Sequence, residues 1–309
     1  MTAAWIAGSV RARALLHRRL GHGGTGDLAG HADLSAALGT LAAGPYRRGL
    51  SATDDLPTAE HAVGETLLWH LRVLAGWQPR AGAAVVRLLA GWFELANIVD
   101  HALTLTGAPP TPPYRLGALA TAWPQLARTT SPAELRAALA ASPWGDPGAD
   151  SVAAITVAGQ VSWAARVAAG VPAAGGLAAG AAAILVARER FLCDRALPAA
   201  SVPRLVRLLG VDPGRPASLA DFTAAVRTAA RWALSAVDDP AELWRAEALW
   251  WARLRRDGES LMRTAGFGAD QVVGVAGLLA EDAWRVRAAL QVVALRPNDA
   301  ASAVFDELA

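Results

Sequence analysis

The segment from Val85 to Leu103 returns without a gap at Val272 to Leu290, 187 positions later. Identical pairs are Val85/Val272, Val86/Val273, Glu94/Glu281, Ala96/Ala283, Val99/Val286, Ala102/Ala289 and Leu103/Leu290, more than composition alone supplies for two Ala-rich helices in one register. Both copies carry an apolar seam at alternating steps of four and three: Val85, Leu89, Trp92, Ala96, Val99, Leu103, and Val272, Ala276, Leu279, Ala283, Val286, Leu290. Such a seam marks a helix buried along one stripe. A third copy is expected midway, where Gly180, Ile184, Ala187 and Phe191 stand with Glu189, although Asp194 breaks the pattern. Self-similarity at a fixed period signals repeated supersecondary units. The expectation is an all-α chain of three similar helical bundles in tandem, over residues 1–107, 108–210 and 211–309.

Two Pro-rich interruptions, Ala108 to Pro113 and Gly210 to Pro216, cut the chain nearly into thirds. Proline lacks the amide donor and restricts the residue before it, so helices stop there. Between the breaks the start signals are helical: Ser131-Pro132-Ala133-Glu134, Ser218-Leu219-Ala220-Asp221 and Asp239-Pro240-Ala241-Glu242 each offer a cap with an acid three positions on. The pattern predicts helices near 2–20, 59–77, 82–106, 115–129, 149–169, 177–195, 218–237, 240–265 and 268–294.

Composition excludes several kinds of chemistry. All 29 basic residues are Arg, so the lysine needed by P-loop phosphate binding, Schiff bases and pyridoxal enzymes is missing. The sequence pI near 9.3 accompanies a net charge of only +2, with acids interspersed among the arginines, which is no nucleic-acid footprint. Cys193 stands alone, excluding an intrachain disulfide and a cysteine zinc site, and reads as small core filler. The uncharged run Val167 to Ala187 is long enough to cross a bilayer, but its Ala and Gly content and Pro172 favour a buried helix pair; no transmembrane span is expected.

Candidate sites are few. Gly21-His22-Gly23-Gly24-Thr25-Gly26 matches the dinucleotide fingerprint by letter, but a helix rather than a strand precedes it, and it reads as a mobile loop. Asp238, Asp239 and Glu242 resemble the acids with which all-helical prenyl-diphosphate enzymes hold magnesium, yet Asp239 as cap with Pro240 at the first turn explains the same residues. Glu60, His61, Glu65 and His70 lack the spacing of di-iron or zinc sites; His61 and Glu65 read as a surface pair and His70 as a satisfied buried imidazole. No Gly-x-Ser-x-Gly elbow occurs, and no catalytic residue, metal or cofactor is expected.

The opening, Val10-Arg11-Ala12-Arg13-Ala14-Leu15-Leu16 with Leu34, Leu38, Leu41 and Pro45-Tyr46, resembles the subunit that joins the central stalk to the membrane ring in rotary A/V-type ATPases, called C in prokaryotes and d in eukaryotic vacuolar pumps. Trp92-Phe93-Glu94-Leu95-Ala96-Asn97-Ile98 resembles that family's acidic-plus-Asn-Ile segment, and Gln271 to Leu290 its closing helix. The likeness covers the first and last thirds; the family commonly shows Lys, which is absent here, and more Tyr than the two of this chain. It implies a non-enzymatic funnel of three domains about a pseudo-threefold axis, on the cytoplasmic face of the membrane. Its partners would be the rotor stalk and the proteolipid ring, in a proton or sodium pump. The candidates for partner contact are Arg11, Arg13, Arg18, Arg19, Glu94, Asn97, Glu281, Trp284 and Arg287.

Overall fold

The computed structural model describes residues 4–264 and 266–295, and among them all regular structure is helical. In chain order the α-helices are α1 (Ala4–Leu15), α2 (Gly21–Ala29), α3 (Leu34–Ala43), α4 (Leu56–Gly76), α5 (Arg80–Leu89), α6 (Gly91–Leu105), α7 (Trp123–Leu126), α8 (Pro132–Ala140), α9 (Val152–Gly170), α10 (Gly175–Ala187), α11 (Val202–Leu209), α12 (Leu219–Ala225), α13 (Thr228–Arg231), α14 (Leu243–Arg263) and α15 (Ala269–Ala294). Their order repeats. Short helices lead to a long one, α4, α9 or α14, which is followed after a brief turn by α5–α6, by α10 with the π-helical turn Arg188–Leu192 that carries Glu189, or by α15. The long helices end at Gly76, Gly170 and Arg263, at spacings of 94 and 93 residues (170 − 76 and 263 − 170).

By packing, the chain divides into two compact units. One joins the chain up to Val86 with the chain from Leu254 onward; the other is Arg87–Arg253. Both Pro-rich breaks lie inside the second unit, so neither is a division between units. The reason in the first unit is α15, whose Ala283, Val286, Ala289 and Leu290 share a core with Leu28, Leu38, Leu41 and Val63 of α2, α3 and α4. The closing helix thus completes the core of the opening helices. In the second unit Leu95, Ile98 and Ala102 of α6 pack with Leu126, Leu135, Leu139, Trp144 and Ile155. Each buried Leu, Ile or Val among them contributes about 1.5–3 kcal/mol.

Several helices depart from the sequence expectation for local reasons. The stretch predicted as one helix over 82–106 is broken at Ala90: the Trp163 indole N–H donates to the Leu88 carbonyl at 3.0 Å, taking the acceptor that a continuous helix would use. The 218–237 stretch breaks after α12, because Val226 is extended and the Arg227 N–H turns away to the Leu209 carbonyl. Four helices, α2, α3, α8 and α11, lie outside the predicted spans, α8 behind the start signal at Ser131; Asp33 caps α3 by accepting the Ala36 N–H at 2.8 Å. The predicted caps at Ser131 and Ser218 form, each hydroxyl accepting an amide three residues on. The uncharged run is split by a 3-10 turn at Pro172–Ala174 into the end of α9 and all of α10. Among the described residues α9 is long and apolar enough to span a membrane by length and composition, with less than half of that stretch buried. Cys193 is exposed rather than core filler.

The glycine-rich stretch is not a loop. It forms α2, entered by Gly21 at φ +76°, a conformation that favours glycine, and it buries Thr25, Leu28 and Ala29 on one face. Elsewhere glycine permits close approach: a Cβ on Gly274 of α15 would stand 2.9 Å from the Gly258 carbonyl oxygen of α14. Two substitutions separate these roles. Gly23→Ala, in open space on α2, is expected to stabilise the protein by about 0.5–1 kcal/mol through helix propensity. Gly274→Val is expected to destabilise it by about 1–3 kcal/mol by forcing α14 and α15 apart. Denaturant midpoints measure both; an unchanged or lowered midpoint for Gly23→Ala would contradict a helical α2.

Candidate functional site

The acid-bearing helices hold their neighbours through buried carboxylates. On α6 Glu94 is 1% exposed, and its Oε1 accepts the backbone N–H groups of Thr121 at 2.9 Å, Ala122 at 2.6 Å and Trp123 at 2.6 Å. Helix starts leave amides without intrahelical acceptors, and Glu94 supplies one to the start of α7 from a distant point in sequence. One turn on, Asn97 donates to the Tyr114 carbonyl at 2.9 Å and accepts the Tyr114 N–H at 2.7 Å. This anchoring ends the expected 115–129 helix: the amides of 121–123 turn to Glu94, and α7 begins afresh.

In α15 the same work falls to Asp282, which no sequence pattern singled out. Its carboxylate accepts the N–H groups of Leu20 at 2.9 Å and Gly21 at 2.8 Å, where α2 starts, and the Tyr46 hydroxyl at 2.8 Å. Burial, then the charge of Asp282, raises the Tyr46 pKa well above its ordinary value. One turn on from Asp282, Arg285 donates to the Thr25 hydroxyl at 3.3 Å. Glu94 therefore corresponds to Asp282 and Asn97 to Arg285, a step of 188 rather than 187.

The buried rows agree with that step. Gly91, Leu95, Ile98 and Ala102 face inward in α6, as Leu279, Ala283, Val286 and Leu290 do in α15. One residue turns a helical side chain by about 100°, so partners 187 apart land on different faces. Trp92 and Leu103 are 46% and 39% exposed, whereas Leu279 and Leu290 are buried. The seam expected for α15 is buried throughout; the one expected for α6 is not.

Glu281 then stands beside the anchor rather than being it. Burial pushes its pKa up to about 7; Arg285, 3.9 Å away, opposes the shift, and the Asp282 charge adds to it. The middle acid, Glu189, is buried in a π-helical turn after α10 and holds the guanidinium of Arg195 through bonds of 2.8 and 2.9 Å, while Arg190 donates to the carbonyls of Pro213 and Pro216. Arginines here replace the amide donors of the other two anchors.

The sequence-predicted contact residues therefore fall into two groups. Glu94, Asn97 and Glu281 are turned into the protein and engaged there, which corrects their reading as surface candidates. Arg13, Arg18 and Arg287 are exposed, Arg287 beside Glu60 at 3.3 Å, while Arg11, Arg19 and Trp284 are half-buried. On α1, Ile6 and Val10, 46% and 57% exposed, form one stripe with Arg13 and His17, an apolar and basic surface that the sequence pattern had not isolated.

The candidate magnesium acids are otherwise engaged. Asp239 accepts the Ala241 N–H at 2.9 Å, as the capping reading expects, and Glu242 pairs with Arg245 at 2.8 Å. Among the described residues no three His, Cys, Asp or Glu side chains gather to hold a metal ion. His61 and Glu65 lie 4.0 Å apart as a half-buried pair. Compared with known proteins, the chain matches no family model and none of the curated proteins.

Two measurements test the anchors. Glu94→Ala strands several amides at once and is expected to cost about 3 kcal/mol or more in unfolding free energy, whereas Glu60→Ala, at a half-buried ion pair with Arg287, is expected to cost under about 1 kcal/mol. Equal losses would remove the anchor role. For Glu281, the folded pKa lies above the unfolded value, so the native state holds the extra proton and stability falls as pH rises from about 4.5 through about 7. Glu281→Gln removes that slope. Unfolding free energies at pH 5, 6, 7 and 8 should show the wild type losing ground against the variant's own pH trend, and parallel profiles would contradict the assignment.

Proposed function

We propose that this chain is a non-catalytic coupling subunit of a rotary A/V-type ATPase, joining the central rotor stalk to the membrane proteolipid ring on the cytoplasmic side. It needs no cofactor and has no transmembrane span of its own; it passes torque during proton or sodium transport. In this reading its three modules stand about a pseudo-threefold axis as a funnel that receives the rotor shaft.

The observation that carries the proposal is the anchoring scheme. Each module presents short helices, a long helix and then a helix that carries a buried acid or leads into one, and the acid of α6 grips the short helix that follows it. The acid of α15, the last helix, grips α2 near the start of the chain. A cyclic set of three modules needs that return of the final grip to the first. The resemblance of the opening, of Trp92 to Ile98 and of the closing helix to the coupling-subunit family supports the same reading. Close-packed helices deform little, which suits a part that passes force without turnover. The exposed arginines Arg13 and Arg18 and the α1 stripe offer contact to the ring or stalk.

Affinity purification of the tagged full chain from its native membranes in mild detergent tests the proposal. Co-purification of proteolipid or central-stalk subunits is expected, weakened by Arg13→Glu with Val10→Glu and unaffected by the remote Gly23→Ala. Recovery of the folded chain with neither component would overturn the assignment.

A further inference from the structure

The helix α15 buries two acids side by side. Glu281 and Asp282 are 5% and 1% exposed, and one arginine of the same helix, Arg285, is buried with them. Asp282 is well supplied with donors: the Leu20 and Gly21 amides at 2.9 and 2.8 Å and the Tyr46 hydroxyl at 2.8 Å. Glu281 has the Arg285 guanidinium at 3.9 Å, beyond hydrogen-bond reach, and that guanidinium also donates to the Thr25 hydroxyl of α2 at 3.3 Å. One buried cation therefore serves two carboxylates, and like charges on neighbouring buried residues are not both ionised without cost.

The other charged groups around Glu281 fall short of balancing a second negative charge. From α14, Arg255 is paired with Glu259 at 3.2 Å. Ahead of α2, Arg19 is half-buried and donates to the Leu16 carbonyl. On α2, burial and then the charges of Arg285 and Arg255 lower the His22 pKa, so His22 is neutral near pH 7, and Asp27 is exposed. On α4, Glu60 is engaged by Arg287 and Gln291. His70 of the same helix, expected to be a satisfied imidazole, is buried with neither ring nitrogen partnered, and burial holds it neutral with a pKa of about 4. On α1 Arg13 is exposed and Arg11 half-buried, and α3 has no titratable side chain.

We propose that Glu281 is a proton-operated latch where α2 starts against α15. With its proton on, Asp282 is the one ionised acid at the grip on Leu20 and Gly21; when the proton leaves to water, a second negative charge stands in the same buried place, and the start of α2 opens to hydrate it. That segment is suited to open, since glycine holds four of the first six positions of α2 and little helix propensity resists release. The native pKa of Glu281, about 7, lies above its ordinary value of 4.5, so opening releases a proton and becomes more favourable as pH rises from about 4.5, levelling off above about 7. The latch is shut in acid and loosest above neutrality. It does not depend on the coupling role.

Amide hydrogen exchange of the full chain, followed by NMR from acid to neutral pH and corrected for the intrinsic pH dependence of exchange, reads the opening directly. Protection of the Leu20 and Gly21 amides should fall by about tenfold or more between about pH 5.5 and about pH 7.5, the range in which the linked proton is released. At the upper pH both should exchange well ahead of Leu68 and Leu71, buried on α4. Glu281→Gln, which resembles the protonated side chain, should remove the fall and keep Leu20 and Gly21 protected throughout. The wild-type series decides the matter even where that variant does not fold. Protection at Leu20 and Gly21 that stays flat with pH would overturn the proposal. Protection there equal to that of Leu68 and Leu71 would do the same, because exchange would then pass through unfolding of the whole unit, and so would an undiminished fall in Glu281→Gln.

Discussion

A carboxylate buried in a helical protein must find donors, because an ionised group removed from water without them is too costly to keep. In this chain the donors are backbone amides of other segments, and that constraint organises both compact units. Glu94 collects the amides of Thr121, Ala122 and Trp123; Asp282 collects those of Leu20 and Gly21. Each acid ties one rigid helix to the point where a short helix starts. The short helices follow from it: α2, with glycine at four of its first six positions, has little intrinsic reason to form and starts where Asp282 receives its first amides.

Much of the fold was legible in the sequence, and the limits have a physical form. Long helices announce themselves by periodicity, so α4, α9, α14 and α15 fall close to their predicted spans. The caps at Ser131, Ser218 and Asp239 were legible because a cap and its amide are neighbours in sequence. The break at Ala90 was not, since it depends on Trp163, far along the chain. Nor was α2, whose decisive partner lies 261 residues away.

The register of the repeat shows the same limit more sharply. Identity scoring preferred Glu94 with Glu281, whereas the buried rows pair Glu94 with Asp282. Conservative exchange of Glu for Asp, and of Leu or Ile for Ala or Val, keeps a helix face while erasing identities. Ala and Val abound on every face of these helices, so chance identities survive one residue out of register. Geometry resolves it because a slip of one position rotates the row out of the core. Of the candidate contact residues, the basic ones of α1 lie at or near the surface and the acids of the repeat do not, since a charge that recurs with the fold is more often part of the packing than of a surface.

That distinction bears on what kind of protein this is. Catalysis leaves sequence marks because a reaction needs particular groups within hydrogen-bond reach of one point. Transmission of force asks instead for modules that do not shear against one another, and its natural expression is a carboxylate that fastens two backbone segments through several short bonds. The buried carboxylates of Glu94 and Asp282 are of that type, each fastening its helix to a distant backbone segment, and the acids that looked like a metal site, Asp239 and Glu242, cap and pair locally. Stiffness alone does not select a rotary coupling subunit over another helical scaffold. The proposed coupling role rests on the grip of α15 on the start of α2, which joins the two ends of the described chain in one compact unit.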